Sequence, residues 1–93
     1  MKLPKTMVIN GERWRVVRKP LWKQNLMGQC CRDKRLIEVC SSLTGTELAD
    51  TFLHEVMHAC AGPTNDYEME ESFVNRTTPT LLAALQGLGW VKL

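Results

Sequence analysis

Residues 44–61 constrain the fold most, because apolar side chains recur there at helical spacing. The repeat comprises Leu48, Phe52, Val56 and Cys60, flanked by Ala49, Leu53 and Met57. An apolar surface this wide predicts a helix that is largely buried. Thr44 and Glu47 have the spacing of a capping box, in which two side chains satisfy unpaired backbone donors at a helix start. We therefore predict a buried helix from about Gly45 to Ala61.

Two pairs of short apolar segments precede this helix, and a turn joins each pair. Residues 7–9 and 13–17 flank Asn10-Gly11, a dipeptide that accepts positive φ and favours a type I′ hairpin. Residues 29–32 and 35–39 flank a second turn at Asp33-Lys34, which predicts another antiparallel pair. We therefore expect a small antiparallel sheet.

The C-terminal third predicts one or two further helices. Gly62-Pro63 should end the first helix, and Asn65 with Glu68 forms a second capping box. Further on, Pro79 either kinks this second helix or starts a third with Thr78 as its cap. A chain of 93 residues supports one domain, residues 1–93, with a thin core. The predicted fold class is α+β: a small antiparallel sheet packed on the residue 45–61 helix and one or two C-terminal helices.

The composition excludes a membrane protein and suggests a reducing compartment. No apolar run approaches the roughly 20 residues of a membrane span, and the first six residues lack the apolar stretch of a secretory signal. We therefore predict a soluble, cytoplasmic protein. Its four cysteines are interpreted as free thiols or metal ligands, although their even number leaves a disulfide framework open.

Charge is distributed unevenly along the chain. Residues 1–40 hold ten Lys or Arg against three acids, a net +7, whereas residues 41–93 hold two against seven, a net −5. A basic face that binds nucleic acid or an acidic partner could include Arg13, Arg15, Arg18, Lys19 and Lys23. Because basic residues alternate here with Trp14 and Val16, we favour the solvated side of a strand, and nucleic-acid binding is the second interpretation.

His54 and His58 indicate a metal site. Four residues apart on a helix, their imidazoles lie on one face and can share one tetrahedral zinc ion. Glu55, about 100° around the helix, can instead take a proton from a bound water as general base. Zinc lowers the pKa of such a water toward about 7 and polarises a carbonyl, so the motif predicts amide hydrolysis. Two metal-free histidines are the simpler alternative, but burying both would cost desolvation.

The third ligand has to be a carboxylate or a thiolate, because the chain holds only two histidines. Glu71 is favoured and Glu70 comes next, since a short turn would fold their helix back alongside the first. A thiolate from Cys40 is a further alternative. Cys60 points to a different face than His58, and we assign it to core packing.

The motif residues resemble a known family. The segment Phe-Leu-His-Glu-Val-Met-His-Ala at 52–59, followed by Glu-Ser-Phe-Val-Asn at 71–75, is similar to minimal gluzincin-type metallopeptidases of the ImmA/IrrE kind, among which small phage and prophage proteins are common. The resemblance covers roughly residues 28–89. It implies that His54, His58 and Glu71 bind zinc, that Glu55 is the base, and that the substrate is a regulator in a bacterial or phage-infected cell. The family's Glu-x-x-Ala-Asn pattern fits here with Val74 in place of Ala.

Two other families share part of this motif. SprT-like proteases have a similar helix, but their trailing zinc ribbon needs cysteines, and none follows Cys60. Peptide deformylases combine the motif with an upstream cysteine ligand. Here Cys40 stands only 14 residues before His54, and the glycine-rich substrate loop is missing.

The tyrosine, the three tryptophans and one strand also have predicted roles. Tyr67 could stabilise an oxyanion, although a partly buried packing role is favoured. We assign Trp14, Trp22 and Trp90 to core volume. The strand at 35–39 should lie beside the zinc cleft and add an extended substrate as a further strand.

Two functions of different kinds remain. The first is a zinc peptidase acting on a protein or peptide. The second is a non-catalytic, zinc-stabilised module that binds a host protein or nucleic acid. Glu55 favours the first, because a purely structural site has no use for a general base.

Overall fold

The computed structural model describes residues 1–61 and 66–92 and contains a four-stranded sheet with two α-helices. In chain order the elements are β1 (Thr6–Ile9), β2 (Glu12–Lys19), a 3-10 helix (Leu21–Gln24), β3 (Gly28–Cys31), β4 (Leu36–Cys40), α1 (Gly45–Ala61) and α2 (Tyr67–Gly87). One face of the sheet packs against α1, and α2 packs along α1. The predicted α+β class is confirmed.

Both predicted hairpins are present. In the first, Ile9 lies opposite Glu12, and Asn10 and Gly11 both have positive φ, 52° and 78°, as a type I′ turn requires. In the second, β3 and β4 pair antiparallel with Cys31 opposite Leu36.

The hairpins join through a parallel pair, so the sheet is mixed where we expected it to be antiparallel. The strand order is β1-β2-β4-β3, and β2 runs parallel to β4. After β2 the chain passes through the 3-10 helix to the far edge of the sheet. At that edge it forms β3, then turns and forms β4, which lies between β3 and β2. Strand patterns within each hairpin say nothing about pairing between hairpins.

Alternation along β2 separates core from solvent. Trp14 and Val16 are buried, while Arg13 and Arg15 are exposed, which confirms the solvated side of a strand. The central strand β4 is buried along its whole length, as expected for a strand with neighbours on both sides. Only one tryptophan supplies core volume, however, since Trp22 and Trp90 are 52% and 77% exposed and that prediction is wrong for both.

Helix α1 has the predicted bounds and lies very close to the edge strand β3. Its buried residues include Leu48, Ala49 and Ala59. A Cβ placed on Gly28 would lie 2.9 Å from Cγ2 of Thr51 and 3.1 Å from Cγ of Glu55. Only a glycine fits here without a shift of its neighbours, so Gly28 lets the sheet edge approach the middle of α1.

Helix α2 is one continuous helix across Pro79. Its N-cap is Asp66, whose carboxylate accepts a hydrogen bond from the Met69 amide at 2.9 Å, while the predicted cap Asn65 and the predicted stop Gly62-Pro63 lie outside the described residues. The Thr78 hydroxyl donates to the Val74 carbonyl at 2.7 Å, within the same helix. Thr78 therefore caps no third helix.

Neither α-helix, within the described parts of the chain, combines the length and the apolar character needed to cross a membrane.

Gly28→Ala should lower the free energy of unfolding by about 1–3 kcal/mol, because the added methyl group overpacks the contact with Thr51 and Glu55. The midpoint of urea-induced unfolding measures this change. Gly87→Ala is the control: its Cβ would meet nothing within 4 Å, so stability should stay the same or rise by about 0.4–1 kcal/mol. Equal stability of the two variants would contradict the close approach of β3 to α1.

Candidate metal centre

The three predicted ligands lie together between the two helices. His54 and His58 occupy successive turns of α1, and Glu71 reaches them from α2. The two histidine Nε2 atoms are 3.3 Å apart. The Glu71 carboxylate places one oxygen 3.0 Å from Nε2 of His58 and the other 3.4 Å from Nε2 of His54. One ligand atom from each residue lies within 4.8 Å of the other two.

These separations fit a tetrahedral metal ion. With zinc–nitrogen bonds of about 2.0–2.1 Å, two nitrogens on a tetrahedral ion are about 3.3–3.4 Å apart. The two Nε2 atoms already have this separation. Two imidazoles and one carboxylate are also a donor set that catalytic zinc sites use, with one position left for water or substrate. The residues present therefore fit zinc.

Glu70 lies on the other side of His58 and outside the group of candidate ligands formed by His54, His58 and Glu71, which we call the ligand group. Its Oε2 is 2.5 Å from Nδ1 of His58, while Glu71 faces Nε2 of the same ring. Burial by itself would raise the pKa of Glu70, but hydrogen bonds from Arg32 and His58 outweigh it and hold the pKa below its usual value. The alternative of Glu70 as third ligand is therefore not what the structure shows.

Arg32, which follows β3, was not singled out by the sequence. Its Nη2 donates to Oε1 of Glu70 at 2.6 Å and to the backbone carbonyl of His58 at 2.8 Å. Arg32 and Glu70 are 38 residues apart in the chain, and no local pattern links them.

Glu55 shares the cleft but does not belong to the ligand group. The cleft has a volume of about 350 Å³, and Glu55, Cys30 and Tyr67 contribute to its lining together with the three candidate ligands. Glu55 is 8% exposed. Burial raises the pKa of Glu55 to about 7; Glu71 adds to this rise and His58 opposes it. A carboxylate whose pKa is raised toward 7 is suited to exchange a proton with water in the same cleft.

The cysteines are free thiols and none joins the ligand group. Cys40 is buried on β4 with its sulfur 3.3 Å from the Ser42 hydroxyl. Cys60 is exposed, so its predicted role in core packing is wrong. Cys30 lines the cleft, where burial raises its thiol pKa to about 11.

Tyr67 stands at the rim of the cleft. Its ring lies nearly parallel to that of His58, at an interplanar angle of 5° with ring centroids 6.3 Å apart. A hydrogen bond with the Glu71 carboxylate raises the pKa of Tyr67. The side chain is 65% exposed, so the favoured interpretation of a partly buried packing tyrosine is wrong.

The edge strand beside the cleft is β3. We expected the strand at 35–39 to add a substrate strand, but β4 already has β2 on one side and β3 on the other. Its backbone groups are therefore occupied on both edges. Gly28, Gln29 and Cys30 of β3 line the cleft, and among the described strands β3 pairs with β4 alone.

No protein-family model, curated protein or solved structure matches this chain. The resemblance to the ImmA/IrrE peptidases stays a prediction. The two histidines of α1 and Glu71 of α2, which it names as ligands, lie together.

We expect the purified protein to bind one zinc ion per chain and to gain thermal stability from it, because metal affinity adds to folding free energy. His54→Ala or His58→Ala should abolish both effects. The measurement is the difference in melting temperature between zinc-loaded and chelator-treated protein. Cys60→Ser, an exposed change on the same helix, is the control and should keep the difference. A wild-type protein without any zinc-dependent shift contradicts the site.

Cobalt substitution tests the third ligand. The cobalt protein should lack an intense near-ultraviolet thiolate band, and Glu71→Ala should weaken cobalt affinity. Glu68→Ala is the control, because Glu68 is exposed on the same helix. A strong thiolate band would instead assign the third position to a cysteine, with Cys30 the one that lines the cleft.

Proposed function

We propose that this chain is a zinc-dependent peptidase in which His54, His58 and Glu71 hold the ion and Glu55 is the general base. One observation carries the proposal: three ligand side chains converge within the cleft, while a fourth ionisable side chain, Glu55, lies in the same cleft outside the ligand group. A structural zinc site normally has four protein ligands, whereas this group has three within residues 1–61 and 66–92.

The chemistry divides between the ion and the protein. Bound zinc would supply Lewis acidity, polarising the scissile carbonyl and acidifying water. Glu55 takes the proton of the attacking water and delivers it to the amine that leaves. Tyr67, at the rim and close to Glu71, is positioned to contact the substrate.

An extended segment of a protein or peptide is the substrate that suits the cleft. Edge strand β3 contributes Gly28, Gln29 and Cys30 to its lining, and an extended chain can pair with an edge strand through main-chain hydrogen bonds. Main-chain pairing is indifferent to side chains, so sequence preference has to come from the cleft lining. Among the described residues of that lining, Leu26, just before β3, is the one aliphatic side chain.

We place this activity in the cytoplasm. All four cysteines are free thiols in the structure, and this supports a reducing compartment.

Glu55→Gln should separate the peptidase from a non-catalytic zinc module. The amide keeps the shape of the side chain and spares the ligands but cannot accept the proton, so turnover should fall by roughly a hundredfold or more with zinc affinity retained. The assay compares new protein termini in a bacterial host that expresses wild type or variant. Glu68→Gln, an exposed change, is the matched control and should behave as wild type. Identical termini from wild type and Glu55→Gln would sink the catalytic role.

A further inference from the structure

His58 can serve a metal with only one of its two ring nitrogens. Nε2 faces His54 and Glu71, and Nδ1 faces Glu70 at 2.5 Å. A neutral imidazole carries its proton on one nitrogen and its lone pair on the other. The lone pair points to the ligand group only if the proton resides on Nδ1, where a carboxylate accepts it.

The Glu70 carboxylate is itself held from the opposite side. Its Oε2 accepts from His58 and its Oε1 accepts from Arg32, so each oxygen has its own donor. The carboxylate is almost fully buried, at 4% side-chain exposure, and a buried carboxylate needs a charged partner to offset its desolvation. Within the described residues, Arg32 is the cation that supplies this.

Arg32 also holds the backbone of the same histidine. The nitrogen that reaches Glu70 donates at 2.8 Å to the carbonyl of His58. This carbonyl is one of the last four of α1, for which the helix itself supplies no amide donor. A cation at a helix C-terminus is also electrostatically favourable. One guanidinium therefore restrains His58 through its main chain and, by way of Glu70, through its ring.

We infer that Arg32 and Glu70 are positioning residues that hold His58 in the tautomer and orientation with its Nε2 lone pair facing His54 and Glu71. The inference rests on the metal site proposed above and adds two residues to it. It also predicts that a protein partner fixes the tautomer of His58 and not that of His54. Within residues 1–61 and 66–92, the contacts of His54 to polar groups involve Nε2 and none involves Nδ1.

The first test observes the tautomer directly in metal-free protein. Long-range proton–nitrogen NMR, recorded on the neutral imidazole, distinguishes the two forms. His58 should carry its proton on Nδ1 in the wild type. Glu70→Gln should give a mixture of both tautomers, because an amide can donate to Nδ1 as well as accept from it. His54 should be unchanged in that variant.

The second test measures zinc affinity. Arg32→Gln and Glu70→Gln should each weaken it by about 10–100-fold, the usual effect of losing a partner of a metal-bound histidine. Arg32→Lys, which keeps a cation and a donor, should recover part of the loss. Arg35→Gln is the matched control: it breaks an exposed ion pair with Glu12, 2.9 Å long, in the same turn, and should bind zinc as wild type does.

Failure of the positioning role and failure of the proposed reaction give different results. Wild-type tautomer and wild-type zinc affinity in Glu70→Gln would overturn the inference, and so would equal losses in Arg32→Gln and Arg35→Gln. If Arg32→Gln does not fold, the isosteric Glu70→Gln and the conservative Arg32→Lys decide the matter. Peptidase activity plays no part, so an inactive protein that shows both shifts would refute the proposed reaction and leave the positioning role in place.

Discussion

The proposed site depends on the packing of α2 along α1. His54 and His58 belong to one helix and Glu71 to the other, so the contact between the helices sets the distances among their donor atoms. That contact uses the row of buried α2 residues four positions apart, Glu70, Val74, Thr78 and Leu82. Val74 and Thr78 are almost fully buried, and the Thr78 hydroxyl lies 3.4 Å from the Met57 sulfur. In a domain of this size the same few residues stabilise the fold and hold the ligands in place.

What could be predicted from the sequence was local. Helix α1, both hairpins and the pair of histidines follow from spacings of two to four residues, and the structure has them where they were expected. The parallel pairing of β2 with β4 depends on how a 3-10 helix directs the chain between two hairpins, and no residue pattern in either hairpin records it. The same limit hid Arg32, which acts on Glu70 across 38 residues of chain.

The wrong expectations about packing share one cause. Trp22, Trp90, Tyr67 and Cys60 were assigned to packing roles by residue type, yet all four are exposed. The described core is filled mainly by aliphatic residues, with Trp14 buried among them and Phe52 packed against them. Trp90 follows α2, Trp22 lies in the connection before β3, Tyr67 begins α2, and Cys60 is next to the last residue of α1. At these four positions residue type did not decide burial.

Glu70 and Glu71 are chemically identical neighbours with opposite tasks: one faces Nδ1 of His58 and the other faces Nε2. A step of one residue turns a helix by about 100°, and this rotation alone separates the two roles. Residue type therefore does not distinguish the carboxylate that faces Nδ1 from the one that faces Nε2. Their positions along the helix, counted from the cap at Asp66, distinguish them. A single insertion between its cap and Glu70 would turn both carboxylates away from their nitrogens.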